Sequence, residues 1–240
     1  MTLNLIGTGL NVNSISVAAL EAIKSSDKIY LENYTVNFPY PIEELEKSYG
    51  VKITELERSK VEDESILEEA KNSKISLLVY GDSLSATTHI QLVLEAKKQK
   101  IKCNVFHNAS IMTAIAETGL QLYKFGKTAS MPNWAEHTNK PTSFINYIKE
   151  NQSIKAHTLI LTDIGLELKN AIDQLEQSTE KESLKIDKII AISNAGTPNQ
   201  KIFYDTPENL KNEKIKMPFA LIIPTELHFI EEEAIQKLTK

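Results

Sequence analysis

Two short stretches gather most of the groups that could handle a ligand: Gly81-Asp82-Ser83-Leu84-Ser85-Ala86-Thr87-Thr88-His89, and His107-Asn108-Ala109-Ser110-Ile111-Met112. Each begins where an apolar, strand-like run stops, Ile75–Tyr80 and Ile101–Phe106 respectively, and each leads into a helix-like pattern. The carboxyl ends of strands in an open α/β sheet are where small ligands bind. Asp82, directly after a glycine, suits hydrogen bonds from an ammonium or from ribose hydroxyls, and it equally suits capping of the turn that follows. Ser110-Ile111 opens a helix-like run, whose free N–H groups would favour a carboxylate, while Asn108 and Ser110 could as well cap that helix themselves. The two stretches together predict a binding crevice.

A third turn, Gly7-Thr8-Gly9, follows the first apolar run and precedes a helical pattern. The dinucleotide fingerprint needs a further small residue where this chain has Val12, so a turn lining another adenosine-containing ligand fits better. The five histidines, His89, His107, His137, His157 and His228, show no metal-site spacing, and Cys103 is the only cysteine, so no metal is expected and no intrachain disulfide can form. No G-x-S-x-G elbow supports a nucleophilic serine. His89 could orient its loop or cap a helix, and His157, at the start of a strand-like run, reads as structural.

The elements that must carry these groups alternate. Leu3–Ile6, Lys28–Leu31, Ile75–Tyr80 and Ile101–Phe106 read as strands, with helical patterns at Ile15–Ser25, Ile42–Lys47 and Leu92–Lys98. Such alternation predicts a mostly parallel sheet covered by helices. Asn13 and Ser14 are the candidate caps of the first helix. Ser110–Glu117 reads as a helix stopped at Gly119. The joint is placed here, giving domains 1–108 and 109–240. The second then offers strands at Thr128–Met131, His157–Asp163, Lys188–Ser193 and Phe219–Pro224. Helices are expected at Pro141–Asn151, Leu166–Gln177 and Leu227–Leu238, and the turn-rich Thr197–Asn212 could be a hairpin with a long loop. With 41% hydrophobic and 25% charged residues the composition is that of a globular protein, and no apolar run approaches a membrane span. A net charge of −5 argues against general nucleic-acid binding.

GDSLSATTH resembles the GDPLxATTH signature of the diphthine synthases, and HNASIM with the later Thr118-Gly-Leu-Gln-Leu-Tyr-Lys-Phe-Gly126 resembles the segment that follows it in those enzymes. The likeness extends over Leu5–Leu10, Tyr30–Thr35, His157–Leu159, Asp163-Ile164, Ala195-Gly196 and Leu227-His228. The family it implies comprises S-adenosylmethionine-dependent methyltransferases of the tetrapyrrole-methylase superfamily, which act on a modified histidine of translation elongation factor 2. On that resemblance the fold is α/β, two domains with the cofactor S-adenosyl-L-methionine in the inter-domain cleft. The product is the methylated amino group of the 3-carboxy-3-aminopropyl histidine, with S-adenosyl-L-homocysteine left behind. It further implies a cytoplasmic homodimer with elongation factor 2 as protein substrate and no membrane or direct nucleic-acid partner. The cofactor contacts carried over are Leu10, Asp82, Ser85, Ser110, Ile111, Thr162, Ala195 and Phe219; no catalytic base is assigned. Three residues depart from the pattern: Ser83 stands for a proline, Thr162 for a usual leucine and Phe219 for a frequent histidine. Two alternatives stay open, a related methylase acting on a corrin precursor or RNA ribose, and a catalytically silent S-adenosylmethionine sensor.

Overall fold

The computed structural model describes residues 1–62 and 65–239. The chain divides into two units, Met1–Ile111 and Met112–Lys240. In the first, five strands form a wholly parallel sheet: β1 (Thr2–Gly7), β2 (Lys28–Glu32), β3 (Thr54–Leu56), β4 (Lys74–Val79) and β5 (Lys102–Phe106), in the order β3-β2-β4-β1-β5. Helices α1 (Val17–Lys24), α2 (Ile42–Tyr49), α3 (Arg58–Glu62), α4 (Ser65–Ala70) and α5 (Ile90–Lys98) connect them. β1 and β4 are buried almost throughout and mainly apolar because both faces are covered, as in the centre of a parallel sheet. Leu3, Leu5, Ile75, Leu77 and Val79 pack one face with α4 and α5 residues Leu67, Ala70, Leu92 and Ala96. On the other, Ile6, Leu31 and Leu78 meet Ala19 and Ile23 of α1 and Leu45 and Tyr49 of α2.

The cap of α1 is Ser16, whose hydroxyl accepts the N–H of Ala19 at 3.2 Å, and neither Asn13 nor Ser14 plays that part. Ser14 is held one turn earlier, its hydroxyl accepting the N–H of Asn11 at 3.2 Å. The expected helix from Ser110 is also shorter than its pattern. One α-turn, α6 (Ile111–Ala114), passes into a 3₁₀ turn at Ile115–Thr118 and stops at Gly119, where φ is +88°. The Thr118 hydroxyl donates to the Ile115 carbonyl at 2.7 Å and Gly119 N–H bonds Ala116, contacts that tighten the last turn.

The second unit carries β6 (Ala129–Met131), β7 (Thr158–Thr162), β8 (Ile189–Ser193), β9 (Lys201–Asp205) and β10 (Phe219–Ile223), in the order β6-β7-β10-β8-β9. Only β6 and β7 run parallel; every other pair is antiparallel. β8 and β9 form the hairpin, which leads to the short α9 (Pro207–Leu210). Helices α7 (Phe144–Ser153) and α8 (Leu168–Lys181) bury Phe144, Ile145, Ile148, Ala171, Ile172 and Leu175 against Ile160, Ile189, Leu221 and Ile223. The last helix is α10 (Phe229–Leu238). No helix among the described residues is long and apolar enough to cross a membrane.

Candidate functional site

At the carboxyl edge of the parallel sheet the ends of β1, β4 and β5 are knitted together. Gly9 and Gly81 exchange two backbone hydrogen bonds, 2.9 and 3.0 Å, and both have positive φ, +74° and +72°. Thr8 N–H reaches the Val79 carbonyl at 2.8 Å. The Asn108 amide then donates to the carbonyls of Gly7 at 3.1 Å and Ser14 at 3.0 Å. The glycines answer to this close approach: a Cβ on Gly7 would lie 2.6 Å from the Gly81 carbonyl oxygen, and one on Gly9 would lie 2.6 Å from Ser14 Cβ. Asn108 therefore ties strand ends and does not cap the helix after it.

Asp82 is the hub. Its Oδ1 accepts the Leu84 N–H at 3.0 Å and the Ser85 hydroxyl at 3.1 Å, and its Oδ2 accepts the Asn108 N–H at 3.0 Å and lies 2.8 Å from His107 Nδ1. Burial by itself would raise its pKa, but the bonds from Leu84, Asn108, His107 and Ser85 outweigh it and hold the carboxyl below the ordinary aspartate range. An ionised carboxylate only accepts, so the shared proton sits on His107 Nδ1. Capping is thus a full occupation for Asp82, and its negative charge faces the edge with four donors fixing it.

The remaining candidates of this unit lie on the same edge. Leu10 is buried, its carbonyl accepting the Tyr80 hydroxyl at 3.3 Å. Ser110 is buried beside Gly81, 3.6 Å separating Ser110 Cα from the position a Cβ on Gly81 would take. Ile111 begins α6, whose single turn offers far less of a dipole than a long helix. Ser83 is fully buried; its carbonyl accepts the Thr87 hydroxyl at 2.8 Å and His89 Nδ1 at 3.2 Å, but its own hydroxyl has no partner. His89 stands at the N-cap position of α5 but its side chain makes no cap bond: burial lowers its pKa, and the neutral ring fastens the loop to Ser83.

In the second unit Thr162, Ala195 and Phe219 converge at one end of the sheet. Thr162 closes β7, and its hydroxyl donates to the Phe219 carbonyl at 3.2 Å. Phe219 opens β10 opposite Ser193, the last residue of β8, and Ala195 lies just beyond in a turn where Asn194 has φ +50°. Several residues of the Thr118–Gly126 run are explained by packing. A Cβ on Gly119 would meet Ala234 of α10 at 2.4 Å, and one on Gly126 would meet the Asn151 amide. Glu231 of α10, fully buried, accepts the N–H groups of Gln121 and His228, the Lys124 ammonium and His157 Nε2. Thr225 N–H donates to His157 Nδ1, so the ring is neutral with its proton on Nε2. Burial would raise the Glu231 carboxyl; those four donors pull it down to about 2. His157 is structural, as its position at a strand start indicated.

One buried carboxyl escaped the sequence reading: Glu32, the last residue of β2, fully buried with Oε2 lacking a partner. The apolar run ends at Leu31 while the strand continues to Glu32, and a charged residue closing such a run is the signal that marks it. Among the described residues no three His, Cys, Asp or Glu side chains come together to hold a metal.

The family model for Tetrapyrrole (Corrin/Porphyrin) Methylases matches residues 2–211. A diphthine synthase of Archaeoglobus fulgidus is 36% identical, over 98% of this chain and 94% of its own. A diphthine methyl ester synthase of Schizosaccharomyces pombe is 35% identical over 97% and 92%. A crystal structure of a diphthine synthase superposes with a TM-score of 0.90 at 35% identity, covering 100% of this chain and 96% of its own. A structure described as a putative diphthine synthase from Entamoeba histolytica gives 0.89 at 33%, over 100% and 98%. The chain belongs to the tetrapyrrole methylase family and is a methyltransferase of its diphthine synthase branch.

Proposed function

We propose that the protein transfers methyl groups from S-adenosyl-L-methionine to the amino group of the 3-carboxy-3-aminopropyl histidine of translation elongation factor 2, in diphthamide biosynthesis. The observation that carries the reading is the knot of three strand ends around Asp82, built from the residues that give the chain its family likeness. Its chemistry suits this cofactor. The runs 5–16, 81–89 and 107–119 contain no Lys or Arg, so a phosphorylated nucleotide would find no counter-charge in them, whereas a cationic adenosine derivative needs none. An ionised Asp82 favours a positive ligand at that edge. When bound, the cofactor supplies a methyl group on a sulfonium. Leu10, Asp82, Ser85, Ser110 and Ile111 in the first unit and Thr162, Ala195 and Phe219 in the second are the residues to which its contacts are assigned. The chain's contribution is mainly alignment, which a knot of buried hydrogen bonds favours by leaving little to reorganise.

We place the protein in the cytoplasm, with its substrate, as a homodimer. Exposed apolar side chains support a self-contact: Leu122, Tyr123, Phe229 and Ile230 are the chain neighbours of the Lys124–Glu231 ion pair, with Tyr123 81% exposed and Phe229 68%.

The test is transfer of label from S-adenosyl-L-methionine to elongation factor 2 bearing the unmethylated side chain, followed by mass spectrometry of the peptide. Base-stable methyl groups on nitrogen are the expected product. The archaeal relative is named a synthase of diphthine and the yeast one a synthase of its methyl ester, at nearly equal identity, so an added base-labile methyl would place the chain with the latter. Cofactor binding with no label transferred would sink the proposal in favour of a sensor.

A further inference from the structure

Glu32 ends β2 at the same carboxyl edge as the Asp82 knot, on the strand next to β4. It is fully buried; Oε1 accepts the Thr35 hydroxyl at 2.6 Å and Oε2 has no partner. Strand alternation puts it on the face of Tyr30, which packs with Leu56, Leu77, Val79 and Leu84. In register, its neighbours are Leu56 on β3 and, one step beyond the Leu31–Leu78 pair, Val79 on β4. Neither offers a charge. The titratable groups on the flanking elements are otherwise engaged: Glu55 of β3 accepts the Asn33 amide, Asp82 is held by its four donors, and neutral His89 is bonded to Ser83. Burial accordingly pushes the Glu32 carboxyl up to about 7, against the opposing bonds from Thr35 and the N–H groups of Tyr34 and Thr35. The burial cost of a carboxylate here exceeds what the bonds from Thr35 and the two N–H groups return, so the acid is a costly choice for structure alone.

The proposed reaction has a use for it. The attacking amine must be neutral, and a base whose pKa lies near the working pH serves best. We propose that Glu32 accepts the proton from the substrate amino group before methyl transfer. The inference rests on the function proposed above. In the step, carboxylate Oε2 takes one proton from the ammonium, and the N–H electron pair stays on nitrogen. That pair then forms the N–C bond as the C–S bond breaks, and its electrons leave on the sulfur of S-adenosyl-L-homocysteine. Glu32 afterwards yields its proton to water. The segment that follows Glu32, residues 33–41, holds the carboxyl through Thr35 and contains neither helix nor strand, so its opening for the amine breaks no sheet ladder.

The experiment is single-turnover methyl transfer to the modified elongation factor across pH 5.5–9 (about that range, bracketing an acid–base pair near neutrality), with unaltered protein, Glu32→Gln and Glu32→Asp. Cofactor binding by calorimetry and apo thermal unfolding accompany each. The expected result is a rate for the unaltered protein that climbs with pH through about 7. Glu32→Gln should lose that limb and at least about a hundredfold in rate, with cofactor affinity preserved and the apo protein melting no lower than the parent. Glu32→Asp should restore part of the rate with a displaced limb. A Gln variant with the original rate and profile overturns the proposal. If Gln fails to fold, an Asp variant with an undisplaced limb overturns it too. No transfer by the unaltered protein would instead overturn the functional reading beneath it.

Discussion

Ser83 and Asp82 are adjacent, both buried, and opposite in how well their polar atoms are matched. The Ser83 hydroxyl has no partner, and leaving such a group buried costs about 1–3 kcal/mol. Ser83→Ala removes the group and little volume, so it should raise the apo melting temperature by about 2–4 °C per kcal/mol regained, as read by calorimetry. A lower melting temperature would mean that a water bridges that hydroxyl. Asp82 presents the reverse case. Asp82→Ala strips the buried N–H groups of Leu84 and Asn108 of their acceptor together with two side-chain donors. Apo stability should fall by about 2–5 kcal/mol in a urea titration, alongside weaker cofactor binding. From sequence the choice between ligand contact and cap stood open. The four donors establish the cap, and cofactor binding by the Asp82→Ala variant decides whether the same carboxylate also meets a ligand.

At the level of strands and helices, what could be read in advance was set by local pattern. The apolar runs Leu3–Ile6 and Ile75–Tyr80 located β1 and β4 because central parallel strands are buried on both faces and read as continuous hydrophobic segments. Strand direction was not local: β10 inserts between β7 and β8 antiparallel to both, a long-range choice that period-2 alternation does not encode. The run after Ser110 misled for a different reason, since the Thr118 hydroxyl and Gly119 convert a helical pattern into 3₁₀ geometry. The meaning of the Thr118–Gly126 motif was likewise hidden until α10 was seen to close on it. Gly119→Val tests that closure. Its side chain would enter the space of Ala234 and demand a φ of +88° from a β-branched residue, so α10 should detach. Amide exchange over 229–238 should rise selectively, while a mutation acting only on local backbone strain would leave α10 protected.

Two fully buried carboxyls, Glu32 in the first unit and Glu231 in the second, give the molecule opposite responses to pH. Glu231 titrates at about 2 in the folded protein against an ordinary 4.5, so it contributes stability above pH 4.5 that is lost as pH falls toward 2. Glu32 titrates at about 7 against the same 4.5. Its folded state holds the proton more tightly, so its contribution is complete below pH 4.5 and is lost as pH rises through 7. Acid should therefore loosen the clasp that Glu231 makes with Gln121, Lys124, His157 and His228, whereas mild alkali should weaken the edge of the parallel sheet. Melting temperatures against pH for Glu32→Gln and Glu231→Gln separate the two. Glu32→Gln should melt above the unaltered protein at pH values beyond 7 and converge with it below 4.5. Glu231→Gln should be less stable at neutral pH by about 3–5 kcal/mol, the cost of breaking a buried pair, and should lose its disadvantage only in strong acid. Two variants whose differences from the parent did not change with pH would refute this division. A pH-dependent gain for Glu32→Gln, by contrast, would show that the parent protein gives up stability at neutral pH to keep an acid where a neutral amide would fold better, which is the trade expected of a residue retained for chemistry.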